Sequence, residues 1–588
     1  MSEPALTISG PSADAQDSRP PHRVAIVGGG PRGLYCLQTL VDQLWKHRAS
    51  GDAELYARID IFEPAEYPGA GVVYDPRQPS WLRMNFAARY IDAWCRKSAS
   101  GSRLTGVDRL NFCQWLQQQG ATEYGSHSFV PRALVGRYLH DCFLQVCRLA
   151  DAVADLHIHR DRVTGLSPAA GGWRLQTDSS LHVVDDVALT VGHEGLRSKS
   201  SVPGSASGFQ PFDKDRNTSQ EWIPALPAVR NLSERNIPSG SVVNVRGFGL
   251  TMIDAVLALT EGRGGTFRCD GSSNFYEPSG REPDSIVAWS RTARPMLAKP
   301  DESRFRPTHD LEKVWQSGRK QLARVPRPVG KSVLNCLVRP ILMNSARRAM
   351  ISMSEIDEVP GEAVLDRWFR RWCDHSMTGE EAISLLRNSF EVAVANRRPG
   401  IAWSLGAAWR GLYPALVELV SHGGLMPEAW PAFRRLESEM ERLAFGPPAE
   451  NVGRLLALFD CGLVHVRSLP DADDDSGLPS GLNTIDMTQV RYVDAVLPSP
   501  HEHSAAGPLA QLLKAGWIER MEGASGIHID ASGHPVTQDS STPVGLAVFG
   551  RATEGCVLGN DTLSRTLHKH PLRWAETLIQ RCCRKVNS

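Results

Sequence analysis

"RVAIVGGGPRGLYCLQTL" (Arg23–Leu40) decides how this chain is read. Val24 to Val27 form a short apolar burst that fits a buried strand, and an apolar run with helical spacing follows Pro31. Between them Gly28, Gly30 and Gly33 satisfy G-x-G-x-x-G. Each glycine has its own task in such a turn. The first permits a tight reversal, the second lets backbone amides approach a pyrophosphate, and the third lets the helix lie close on the strand. The phosphate then sits at the positive end of the helix. "ARIDIFEP" (57–64) reads as a second strand ending at Glu63, where an acid hydrogen-bonds a ribose hydroxyl. Glu63 lies 30 residues beyond Gly33 rather than the usual offset of about 20, and the Gln43–Tyr56 stretch accounts for the delay. The competing reading is a glycine-rich loop with no ligand. This turn alone does not separate FAD from NAD.

Further along, "DDVALTVGHEG" (185–195) is an apolar strand followed by Thr190, Gly192 and His193, the kind of strand by which two-dinucleotide flavoproteins return to their FAD domain. "SVVNVRGFGLTMIDAVLALT" (241–260) repeats the opening grammar around Gly247 and Gly249, with Met252 where a third small residue is expected. "SIVAWSR" (285–291) reads as the next strand. It ends in Ser290 and Arg291, with Arg294 beyond. An arginine there pairs with a ribose 2′-phosphate and favours NADPH over NADH; a solvated loop arginine is the alternative. One nucleotide unit following another assigns FAD to the first turn and the nicotinamide to the second.

The fold class expected is α/β, with two Rossmann-like dinucleotide-binding domains (FAD and NADPH) and a helical insertion. Residues 1–22, rich in Ser, Pro, Ala and Asp, read as a disordered tail without a secretory signal. Residues 23–199 form the first part of the FAD-binding domain and 200–330 the NAD(P)H-binding domain. Residues 331–465 are a helical, substrate-side region, and 466–588 return to the FAD-binding domain and close it. Trp368, Trp372, Trp403 and Trp409 in the helical region read as core packing, and Arg397–Arg398 as a solvated pair.

Composition sets the partners. With 65 basic and 65 acidic residues the net charge is zero, which lacks the basic excess of a nucleic-acid binder. The 12 cysteines include no C-x-x-C pair and no zinc spacing, so no metal is expected and a reducing cytoplasm is. No apolar run reaches the ~18 residues of a membrane span. Nothing in the sequence sets an oligomeric state.

Seven segments together go beyond this generic reading: "VGGGPRGL", "IFEP…YPGAGVVYDPRQPSWLRMN", "FVPRALVGRYL", "VRGFGLTMIDAVLALTEGRGGTF", "YEPSGREP", "FGPPAEN" and "GRATEG…GNDTLSR". In them the chain, from Arg23 onward, resembles a bacterial FAD/NAD(P)-binding flavoprotein family. That family includes FAD-dependent urate hydroxylase and the nitrosuccinate-forming L-aspartate N-monooxygenases, and it is more distantly similar to ornithine and lysine N-hydroxylases. The resemblance makes Pro31 and Arg32 part of the family's form of the turn. It implies that Leu82-Arg83-Met84-Asn85 lies beside the flavin, with Arg83 and Asn85 as contacts. It also implies that Gly555, Asn560, Asp561, Thr562, Leu563 and Ser564 close the flavin site, with Asp561 as a contact. By their chemistry alone, Asn560 and Asp561 serve equally well as turn residues.

The implied activity is an FAD- and NADPH-dependent monooxygenase of secondary metabolism. It would work through a C4a-hydroperoxyflavin formed with molecular oxygen and N-hydroxylate an L-aspartate-like amino acid towards nitrosuccinate. Ring hydroxylation of a purine such as urate is the alternative. A non-catalytic flavin-binding or sensor protein, or a plain NADPH-dependent flavin reductase, would be of another class. The cofactor carries the chemistry and the protein supplies orientation and exclusion of water, so no catalytic side chain is singled out. His193, His568 and His570 read as structural. An aspartate site must satisfy two carboxylates with Arg or Lys, whereas a urate site needs amide-type donors and a flat apolar slot.

Overall fold

The apolar burst at Val24 becomes the centre of a parallel sheet. In a computed structural model, which describes residues 21–51, 55–95, 108–192, 222–270, 273–300, 302–304, 310–353, 359–468, 489–497, 507–538, 544–560 and 562–587, β1 (His22–Val27) pairs in parallel with β2 (Ala57–Phe62) on one side and β7 (Asp186–Leu189) on the other. β3 (Ala154–His159) and β15 (Leu546–Val548) complete the order β15-β7-β1-β2-β3. Parallel strands covered on both faces lose the alternation of half-buried ones, and Val24 to Val27 are all buried. α1 (Pro31–Ala49) begins with proline at its first turn and ends with Lys46, His47 and Arg48 against its negative end. It runs on to Ala49, into the Gln43–Tyr56 stretch, which helps explain the late position of Glu63. α2 (Phe112–Gln118) starts at a reciprocal Asn111–Gln114 capping box. α1 packs on α3 (Arg132–Ala150) and on α15 (His570–Asn587). An antiparallel sheet of β4 (Val163–Ala169), β5 (Gly172–Thr177) and β6 (Leu181–Val184) leads back into β7.

The second glycine turn stands on a second parallel sheet. β8 (Trp222–Pro224), β9 (Val242–Arg246), β12 (Ser285–Ser290), β13 (Val464–Ser468) and β14 (Val490–Asp494) lie in the order β13-β12-β9-β14-β8. α4 (Ala228–Asn231) and α5 (Leu250–Leu259) belong to this unit, as does the hairpin β10 (Thr266–Asp270)–β11 (Ser273–Glu277). The sequence boundaries at 331 and 466 follow changes in residue pattern, and this sheet reaches across both of them.

Between β12 and β13 the chain is helical. α6 (Leu311–Leu322) precedes α7 (Lys331–Val333), which passes through a π-type turn into α8 (Arg339–Met353). α9 (Glu362–Asp374), α10 (Gly379–Ala393), α11 (Ile401–Val420), α12 (Trp430–Ala444) and α13 (Ala449–Asp460) follow. α11 packs on α6, α8 and α12, because Leu405, Trp409, Leu412 and Leu416 repeat at helical spacing and are all buried. Trp372 is buried as well, and Trp368 stacks on it at 5.7 Å. These tryptophans pack the core. α14 (Pro508–Lys514) lies against β4. Among the described residues no helix is long and apolar enough to cross a membrane.

One ion pair ties the two nucleotide units together. Arg132, at the start of α3, places Nη1 2.6 Å from Asp254 Oδ2 and Nη2 3.1 Å from Oδ1 in α5. Its Nε donates to the Arg83 carbonyl. Burial pushes the Asp254 carboxyl above its usual range in spite of the guanidinium. Such a pair adds little over an apolar replacement, but breaking it strands a buried charge. Asp254→Ala is expected to lower stability towards urea by about 3–5 kcal/mol, and adding Arg132→Met to recover most of that loss. Equal destabilisation in the single and double variants would contradict this.

Candidate dinucleotide and substrate site

The first turn is built on contact between backbones. Gly28 has φ +97°, and a Cβ there would lie 2.6 Å from the Thr190 carbonyl oxygen. A Cβ on Gly33 would come within 2.1 Å of the Gly28 oxygen, so helix and strand touch through glycine. Gly30 differs: the nearest atom to a Cβ there is Gly71 Cα at 3.6 Å. Its smallness serves an approach from outside rather than internal packing. Gly30 caps α1 without a side-chain hydrogen bond, and the first turn carries no acid. The positive end of the helix is therefore free to meet an anion.

Glu63 is buried and aimed back at this turn. Its Oε2 accepts from Gly29 N at 2.7 Å and its Oε1 from Ala65 N at 2.8 Å. Each carboxylate oxygen keeps acceptor capacity for a ribose hydroxyl. Open backbone amides, a small second glycine and an oriented acid form a donor and acceptor set that fits the adenosine diphosphate half of FAD.

Arg32 does something the sequence did not reveal. Its Nη2 donates to the carbonyls of Asn560 and Thr562, the latter at 2.8 Å. Tyr35 Oη donates to the Leu563 carbonyl at 2.9 Å, and the Arg565 guanidinium lies 4.0 Å from the Tyr35 ring centroid. Arg32 thus fastens the C-terminal closing segment onto α1. Asn560 donates through Nδ2 to the Gly550 carbonyl and holds a turn. Asp561 and His193 lie outside the described residues, as do residues 1–20 of the expected tail. His568 donates to the Gly559 carbonyl at 2.7 Å, and the His570 ring stacks on Phe549. Burial, with the Arg32 charge nearby, pushes His568 down to about 3 and His570 well below the usual histidine range. Both rings are neutral struts.

The segment after the first unit faces the helical region. Arg83 Nη2 meets Glu450 Oε1 of α13 at 3.1 Å. Asn85 Nδ2 donates to the Phe445 carbonyl at 3.3 Å, and the Asn85 carbonyl accepts from Lys299 Nζ at 2.8 Å. Spacing gave no sign of Lys299, which sits in "PMLAKP" with no motif around it. Arg410 and Tyr413 of α11 were missed for the same reason.

At the second turn Gly247 has φ +118° and donates its N–H to the Trp289 carbonyl at 2.7 Å. Gly249 caps α5 without a side chain and without an acid in the first turn. A Cβ on it would meet only Met296 Sδ, at 3.8 Å. Met252, in the third position, is buried and packs as an apolar side chain. Arg291 is exposed just past β12 with no carboxylate partner among the described residues. Arg294 is taken: it pairs with Glu439 at 2.8 Å and donates to the carbonyls of Cys373 and His375. Of the two arginines, Arg291 alone is available to a 2′-phosphate.

Comparison with known proteins gives the family. Residues 25–194 match a family described as FAD-NAD(P)-binding. Nitrosuccinic acid synthase of Aspergillus oryzae is 31% identical over 547 residues, covering 84% of this chain and 81% of its own. The chain belongs to this FAD/NAD(P)-binding flavoprotein family. A nitrosuccinate-forming L-aspartate N-monooxygenase of Streptomyces cremeus is 29% identical over 312 residues, or 47% of this chain and 43% of its own. The flavoprotein family thus has fungal as well as bacterial members. Among solved structures, L-lysine 6-monooxygenase of Pseudomonas syringae aligns at 12% identity over 96% of this chain and 99% of its own, with a TM-score of 0.42.

Two outcomes follow for the flavoprotein. Gly33→Ala should emerge from purification largely stripped of FAD, because overpacking of about 1–3 kcal/mol falls on the turn itself. Gly361→Ala, where a Cβ meets nothing within 4 Å, should stay fully loaded; equal flavin content in the two would refute the role of the turn. The second outcome concerns acid. The unfolded chain protonates His568 near pH 6.5, the folded chain only near 3. Stability therefore falls with pH through that window, by roughly 1.4 kcal/mol per unit for each such ring. Thermal midpoints at pH 7 and pH 5 should differ less in His568→Asn than in the parent.

Proposed function

We propose that the chain is an FAD- and NADPH-dependent monooxygenase that N-hydroxylates a small amino acid, L-aspartate or a near relative, towards nitrosuccinate. The observation that carries this reading is continuity. Similarity to the Aspergillus synthase runs over 84% of the chain, so it takes in the second glycine turn and the helical region as well as the widely shared FAD unit.

In this reading the turn at Gly28–Gly33 and Glu63 hold the adenosine diphosphate half of FAD. Gly247, Gly249 and Arg291 hold NADPH, with Arg291 on the 2′-phosphate. FAD, once reduced by NADPH, supplies the activation of molecular oxygen. The protein positions and encloses. Arg132 and Asp254 fix one nucleotide unit against the other, and Asn85 joins the first unit to the Phe445 loop. Arg32 and Tyr35 hold down the segment that keeps water from the flavin. Neutral His568 and His570 brace that segment and take no part in proton transfer.

The test is NADPH oxidation by the purified holoprotein, with peroxide release followed in parallel. L-Aspartate should accelerate NADPH consumption and reduce the fraction lost as peroxide; urate should do neither. Oxidation that releases all its peroxide whatever is added would mark a plain reductase, and a urate-dependent ring product would overturn the amino-acid reading. Arg291→Ala should raise KM for NADPH on the order of tenfold or more, the worth of one charge-assisted phosphate contact, and leave KM for NADH unchanged.

A further inference from the structure

Lys299 is a buried lysine and Arg410 a half-buried arginine, and neither has a carboxylate partner among the described residues. Lys299 is 8% exposed. Its backbone is pinned by Lys299 N donating to the Pro447 carbonyl at 2.7 Å and Leu297 N to that of Arg442 at 2.9 Å. Its ammonium donates to the Asn85 carbonyl at 2.8 Å and lies 5.5 Å and 5.6 Å from the ring centroids of Phe86 and Phe445. Arg410 comes from α11 and donates to the Ala444 carbonyl at 2.9 Å. Both cations therefore converge on Ala444–Phe445.

Burial, with Arg410 adding its repulsion, pushes the Lys299 ammonium down to about 7; burial pushes Arg410 down to about 10. No carboxylate of the described residues pairs with either. Of the other enclosed guanidiniums, Arg132 meets Asp254, Arg294 meets Glu439 and Arg109 meets Asp42, while Arg263 donates to three backbone carbonyls. Two like charges drawn together away from water, with no acid between them among the described residues, are unfavourable for folding, and such arrangements cluster where a ligand brings the opposite charge.

Their position gives the ligand's class. Asn85 belongs to the segment that joins the first nucleotide unit to the helical side. Tyr413, three residues along α11 from Arg410, packs edge-on against Phe445 at 5.0 Å. A Cβ on Gly559 would lie 2.9 Å from the Tyr413 hydroxyl, so the closing segment borders the same place. We propose that Lys299 and Arg410 form the subsite that takes a carboxylate of a small dicarboxylic amino acid, Arg410 through paired N–H groups and Lys299 as a point charge. This rests on the oxygenase reading above and adds the residues that select the acidic substrate. Guanidinium matches a carboxylate's two oxygens, and a neutral purine offers nothing to two cations.

The probe is succinate, which has both carboxylates and no amine to oxidise. Titrated into the FAD-loaded protein by calorimetry, it should bind the parent, and bind Lys299→Met and Arg410→Met about tenfold or more weakly. Lys299→Arg should restore much of the affinity. KM for NADPH should not move. The thermal midpoint of Lys299→Met should hold or rise, since an unpaired buried cation has been removed. The proposal falls if the parent ignores succinate, or if the variants bind it like the parent. It also falls if only KM for NADPH rises, which would give the cations to the cofactor's phosphates, or if affinity is lost only together with the folded midpoint. The two readings separate cleanly. Lys299-dependent succinate binding without any oxidised aspartate keeps the subsite and removes the oxygenase. Aspartate oxidation with equal KM in parent and Lys299→Met does the reverse.

Discussion

The Gly28 carbonyl oxygen stands where a side chain on Gly33 would begin, and the rest of the site depends on that contact. With no Cβ in the way, α1 lies directly on β1, and the amides of its first turn stay open to a phosphate. The same helix then carries Arg32 and Tyr35 outward to the carbonyls of Asn560, Thr562 and Leu563, more than five hundred residues later in the chain. Seating the helix on the strand therefore also seats the segment that closes the site. Glu63 and Thr190 are registered to the turn from the neighbouring strands β2 and β7.

A second principle governs the charges. Where Arg132 and Arg294 hold elements together, each meets a carboxylate with two-point geometry, and the pairs act as joints between units. Lys299 and Arg410 are placed with comparable rigidity but, among the described residues, lean on carbonyls and, for Lys299, on rings. Stability alone would favour apolar residues at these two positions.

The first unit was legible because its information is local. β1, the turn and α1 form one continuous stretch, and the end of β2 follows within a short loop. β7 was readable as an apolar strand, and the second turn repeated the grammar of the first. What stayed hidden depends on distant pairing. "VHVRS" and "VRYVD" join the second sheet as β13 and β14 through parallel ladders, which leave no turn signature to read. Arg291 and Arg294 looked alike as candidates; only the approach of α12 with Glu439 distinguishes them. Arg32 was taken as part of the phosphate turn because its carbonyl partners come from the far end of the chain. Lys299 carried no motif, and its meaning lies in having no carboxylate partner among the described residues.

The central claim is that oxygen reaches the nitrogen of an acidic amino acid at this site. The most direct measurement is the mass spectrum of the product formed from L-aspartate and NADPH under ¹⁸O-labelled dioxygen. The account predicts an aspartate-derived product that carries labelled oxygen on nitrogen. Unchanged aspartate, with all the reducing equivalents recovered as labelled peroxide, would contradict it.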